Sequence, residues 1–127
     1  MYKRIVVGVT LFGLLTILLG ACAIVDTATP TNLPTVRMGG STFIQTSITI
    51  HKGDKLNLVD VAPSTHTITN GTWDGTTPKP AIESGAPTVN ITFLGNDSGA
   101  IGPFTTAGTF NLYCTVHPGM NLTVIVL

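Results

Sequence analysis

Charge is scarce in this chain: only 9% of its 127 residues are Asp, Glu, Lys or Arg, and the basic ones cluster nowhere beyond the Lys3-Arg4 pair. Phosphate backbones are bound by grouped Lys and Arg, so nucleic acid is excluded as a partner. Cysteine is rarer still, with Cys22 and Cys114 alone. Helical periodicity is missing after the first twenty or so residues, which excludes a helix bundle. There is no internal repeat, and neither of the two irregular segments, 72–87 and 95–104, precedes a helix whose N-terminus could cradle phosphate. The length suits one small domain and not two.

What is present begins with a signal. Lys3 and Arg4 form a basic n-region, Ile5 to Leu19 is an apolar run shorter than the ~20 residues of a usual membrane span, and Leu19-Gly-Ala-Cys22 closes it with small residues. Residues 1–21 therefore read as a secretory signal peptide. The Leu-Gly-Ala-Cys ending resembles the lipobox of bacterial lipoproteins. That resemblance implies cleavage before Cys22, lipid on Cys22, and a protein anchored to a membrane and facing the periplasm or the cell exterior. Cleavage leaves four basic residues against six acidic ones, a balance of about −2. If Cys22 carries lipid, Cys114 has no disulfide partner, and a lone thiol in an oxidising compartment is a liability unless buried or bound to metal.

Residues 22–35 are rich in Ala, Thr and Pro, with Pro30 and Pro34 opposing regular structure. They read as a flexible tether. From Val36 the pattern changes to short β-branched runs: 36–38, 42–50, 55–61, 65–69, 89–94, 109–114 and 122–127. Gly39-Gly40, Lys52-Gly53-Asp54, Asn70-Gly71 and Asp74-Gly75 mark the breaks between them. Val89, Ile91 and Phe93 alternate with Asn90 and Thr92, the period of a strand with one face in a core. Seven such strands predict an all-β Greek-key β-sandwich over 36–127. Residues 72–87, with three prolines, and the Gly-rich 95–104 are expected to be irregular loops.

The chemistry concentrates in Tyr113-Cys-Thr-Val-His-Pro-Gly-Met120. A thiol, an imidazole and a thioether follow one another with two residues between each, on a Pro-Gly turn between two strand patterns. Sulfur and imidazole donors together select copper, and two His with one Cys and a weak axial Met form the blue-copper arrangement. Cys114, His117 and Met120 supply three of those donors. His66, in Pro63-Ser-Thr-His-Thr-Ile-Thr69, is the candidate fourth. Taken singly, His66 would be an ordinary core or surface histidine, Met120 ordinary core and Cys114 a small buried hydrophobe; only their combination favours a metal. His51 reads as solvated and Trp73 as a packing residue outside the site. The N-x-[ST] sequons at Asn70, Asn90, Asn96 and Asn121 arise readily by chance in a Thr-rich chain.

Through Gly53, Asp54, Leu56, Leu58, His66, Gly108, Phe110, Tyr113, Cys114, His117, Pro118, Gly119 and Met120, residues 36–127 resemble the small plastocyanin- and amicyanin-like cupredoxins. The resemblance implies a one-electron carrier rather than an enzyme, with one copper ion cycling between Cu(I) and Cu(II). It implies a monomer that passes electrons to redox proteins, such as a cytochrome or oxidase, docking near His117. Two departures stand out. Asp60 occupies a position where the family often has an Asn bonded to the ligand loop, and the stretch from His66 to Cys114 is longer than in the smallest members. A copper-handling protein without a dedicated redox partner is the alternative reading. A zinc hydrolase fits less well because the ligand loop holds no Asp or Glu to act as general base. A Cys-His nucleophile fits least, since the tight turn suits shared metal ligation better than attack.

Overall fold

Alternation with period two is the rule by which this chain builds its core, and it places the site. The computed structural model describes residues 32–127. The expected signal 1–21, the expected lipidation site Cys22 and the expected tether as far as residue 31 lie outside the described residues. Among the described residues there are nine strands: β1 (Thr35–Met38), β2 (Ser47–Ile50), β3 (Leu56–Asp60), β4 (His66–Asp74), β5 (Thr77–Pro80), β6 (Asn90–Phe93), β7 (Ser98–Ile101), β8 (Gly108–Cys114) and β9 (Asn121–Val126). They form a three-stranded sheet in the order β1-β3-β7 and a six-stranded sheet in the order β2-β9-β8-β4-β5, with β6 also paired to β4. Both sheets are mixed, because β1 runs parallel to β3 and β2 parallel to β9. The expected all-β sandwich is the observed architecture.

Inward residues of both sheets meet in one core. Val36 and Met38 of β1, Leu56 and Leu58 of β3, Phe110 and Leu112 of β8, and Leu122, Val124 and Val126 of β9 are all buried. Each such side chain taken fully from water is worth roughly 1.5–3 kcal/mol before conformational entropy is charged against it. The same alternation carries Asp60, His66 and Asn70 inward at 2%, 0% and 4% exposure, so those polar groups need partners inside. Asn70 finds them: its Nδ2 donates to Pro87 O and its Oδ1 accepts from Val89 N.

Five sequence expectations change. β1 begins at Thr35, one residue inside the stretch assigned to the tether, because Pro34 O already accepts from Asn57 N. The run expected over 42–50 is a strand only over Ser47–Ile50, with an isolated bridge from Phe43 to Met38. The Gly-rich 95–104 contains β7, antiparallel to β3. Its Gly99 is where the sheets close up: a Cβ there would lie 2.6 Å from Ile91 Cδ1. Finally, Asn70-Gly71 is a bend within β4 and not its end. Gly71 adopts φ 124°, and a Cβ would meet Pro80 Cα at 2.8 Å, which glycine alone tolerates. Up to Asn70 the strand pairs with β8; from Gly71 it pairs with β5. Part of the expected 72–87 excursion is therefore a hairpin, whose Pro78 and Pro80 are tolerated because β5 is an edge strand.

Candidate metal centre

Cys114 is the last of the inward series Phe110, Leu112, Cys114, so its thiol closes the core at one end, fully buried. Its cross-strand partner is Ile68. Two residues earlier on the same face of β4, as the period requires, lies His66, itself opposite Phe93 of β6. His66 opens β4 and Cys114 ends β8, so two neighbouring antiparallel strands deliver both donors to one edge of the core. Their side chains touch: His66 Nδ1 is 3.7 Å from Cys114 Sγ.

The connection to β9 brings the rest. Cys114 N donates to Met120 O at 3.0 Å and Met120 N to His117 O at 3.1 Å, while Gly119 takes φ 81°. This closed turn sets His117 Nδ1 3.5 Å from Cys114 Sγ and its ring 4.8 Å from that of His66, tilted by 52°. One donor atom from each of His66, Cys114 and His117 falls within 4.8 Å of the others. Met120 is buried in the same core at 2% exposure, with its backbone bonded to both loop donors.

The His66 ring is fixed on its far side. Nε2 lies 2.9 Å from Gly39 O; a carbonyl only accepts, so Nε2 carries the proton and the Nδ1 lone pair faces Cys114. Asp60 Oδ1 stands 3.8 Å from the same Nε2 and accepts from Ala62 N at 3.0 Å. Its Oδ2 is buried without a partner. Asp60 thus holds the turn leading into β4 and backs His66, rather than bonding the ligand loop. At His117, burial first and then the neighbouring His66 lower the pKa below the usual imidazole value. The neutral form, the one that can donate a lone pair, is favoured there.

Sequence reasoning missed three contributors. Gly39 acts through a backbone carbonyl, which no residue pattern reveals. Trp73, expected to be mere packing, donates its indole Nε1–H to Cys114 O at 2.7 Å and meets Tyr113 edge-on, ring centroids 5.7 Å apart. Asn121, noted only as a sequon, accepts from Trp73 N at 2.7 Å and donates to Trp73 O at 3.1 Å. The single Trp of the chain was the available signal for the second of these. His51 is exposed, as expected, beside Asp54.

One thiol, two imidazoles and one thioether form a soft set in which the geometrically defined cluster has no carboxylate donor, the chemistry that suits copper. No family model matches the chain, and no curated protein matches it significantly. Solved structures do. Amicyanin from Paracoccus versutus (Thiobacillus versutus) aligns with TM-score 0.59 and 22% identity over 77% of this chain and 84% of its own. A reduced Cu(I) form of an amicyanin variant at pH 4 gives 0.58 and 19% over 76% and 83%. A further Cu(I) amicyanin variant gives 0.57 and 18% over 75% and 82%. The fold is the cupredoxin fold.

Proposed function

We propose that this cupredoxin-fold protein is a one-electron carrier built on a single mononuclear copper ion, held by His66, Cys114, His117 and Met120. The observation that carries the reading is the convergence of one donor atom each from His66, Cys114 and His117 within 4.8 Å at one end of the core, with both Nδ1 atoms facing the Cys114 thiol at 3.7 and 3.5 Å. The amicyanins it resembles in fold, two of them in Cu(I) form, support the choice of metal. When bound, copper supplies a one-electron couple; everything else is the work of the chain. Cys114 offers a strongly donating thiolate, the two histidines offer neutral imidazole, and Met120 offers a weak thioether that tunes the potential. Because β4 and β8 are locked by the ladder and His66 by Gly39, the donors need little rearrangement between oxidation states.

Access is one-sided. His66, Cys114 and Met120 are buried, whereas His117 is partly exposed between exposed Val116 and Pro118. Leu94, 76% exposed, follows the Phe93 that pairs with His66. Electrons would pass through His117 to a redox protein seated on this apolar end, such as a cytochrome or oxidase. The burial of three of the four donors favours a carrier over a copper-delivery protein, which would need exchangeable ligands. We further propose, from residues 1–22, that the carrier is exported and lipid-anchored at Cys22, facing the periplasm or cell exterior, and, from its resemblance to the small cupredoxins, that it is a monomer. Loss of fatty-acid labelling in Cys22→Ala tests the anchor, and persistence of label would sink it. Titration with Cu(II) tests the centre: an intense blue thiolate-to-copper band is expected, and a colourless complex would contradict it.

A further inference from the structure

The segment from Cys114 to Asn121 holds three of the four proposed donors, and one residue outside it is bonded to both of its ends. Trp73 reaches Cys114 O with its indole N–H. With its own backbone N–H and C=O it makes a reciprocal pair to the Asn121 amide, the residue next to Met120. We propose that Trp73 is a positioning residue for the metal centre, fixing the Cys114 peptide plane at one end of the loop and the Met120-Asn121 junction at the other. The proposal rests on the copper reading above for its consequences, though not for its geometry.

The local bonding explains why such a clamp matters. Cys114 ends β8, so its carbonyl lies beyond the last β8–β9 pair, Tyr113 with Asn121. Its N–H is used by Met120 O, and the Thr115 N–H of the following peptide by Thr67 O; without Trp73 that peptide plane, and the Cβ–Sγ bond beside it, would pivot on the Thr115 bond alone. The indole closes that freedom from the outer face of the sheet, where it also covers Tyr113. It gets there only because Gly71 turns β4 away from β8, and the β4–β5 hairpin, with its Lys79–Asp74 ion pair, holds the turned segment. A residue that served packing alone would need the ring but not the N–H.

Trp73→Phe separates those roles, since it keeps an aromatic ring on Tyr113 and the backbone pair to Asn121 while deleting one donor. In the metal-free full-length protein, amide hydrogen exchange at Cys114 and Met120 should rise roughly fivefold, the scale of one lost hydrogen bond. Exchange at Phe110 and Val124, paired deeper in the ladder, should not change. In the copper-loaded protein the thiolate-to-copper band and the reduction potential should both shift from the parent. Unchanged exchange at Cys114 and Met120, or equally faster exchange at all four amides, would overturn the positioning role. If the parent itself shows no band, the copper reading falls, and the metal-free exchange comparison still decides the role of Trp73.

Discussion

His66 donates Nε2–H to Gly39 O across 2.9 Å, a bond between β4 and the turn that follows β1. It joins the two sheets at the edge of the site and selects the tautomer that leaves Nδ1 bare toward Cys114. The donor is therefore set before any metal arrives. Long-range 15N–1H correlation on the metal-free protein should find the His66 proton on Nε2 at neutral pH. A proton on Nδ1 would contradict a preset site.

Asp60 behind His66 is a buried carboxylate with one oxygen bonded to Ala62 N and the other without a partner. Asp60→Ala removes the acceptor and strands the Ala62 N–H, and should cost about 1–3 kcal/mol. Asp60→Asn keeps an oxygen acceptor for the Ala62 N–H, so it should cost clearly less. Denaturant unfolding of the two variants checks this, and equal losses would show that the Ala62 bond contributes nothing.

Gly71 lets β4 change partners. Gly71→Ala must accept φ 124° and a clash with the β5 backbone near Pro80, and should destabilise the protein by about 1–3 kcal/mol. The loss should come with altered Trp73 fluorescence, since the hairpin that carries the indole is displaced. Unchanged stability would mean that the backbone relaxes freely at this bend.

The core and the donors were legible because both follow the strand period. Phe110, Leu112 and Cys114 alternate in the sequence and line one face in space, and Cys114, His117 and Met120 are close along the chain. His66 was found through its Thr-His-Thr-Ile context, although 48 residues separate it from Cys114. The outer support was not legible. Ser98-Gly-Ala-Ile101 has little β-branched character, and its strand exists because Gly99 lets the sheets approach at Ile91. Thr77-Pro-Lys-Pro80 looks like a breaker, yet an edge strand needs hydrogen bonds on one side only. Asn70-Gly71 supplies a positive φ equally to a turn or to a bend, and only the tertiary fold chose the bend. Trp73 and Asn121 acquired their roles through that choice.

His117 carries a lowered pKa, from burial and from His66. As pH falls below the ordinary imidazole value of about 6.5, the unfolded chain takes up this proton before the folded one. The metal-free protein should therefore lose stability through that window, while above it the group contributes no pH dependence. Thermal melts from about pH 7 to about pH 5 should show a shallower decline in His117→Gln than in the parent. Parallel declines would show that His117 does not contribute to the pH dependence. Copper affinity should weaken in the same direction, because protons compete for the same lone pair.

The most direct test is the visible spectrum of the Cu(II)-loaded protein beside those of Cys114→Ser and Met120→Leu. A Cys-His-His-Met copper centre gives an intense thiolate-to-copper band in the parent, its loss in Cys114→Ser, and its retention in Met120→Leu with a changed reduction potential. A parent that binds Cu(II) without that band, or a Cys114→Ser variant that keeps it, would contradict the central claim that Cys114 and its histidines form a copper electron-transfer site.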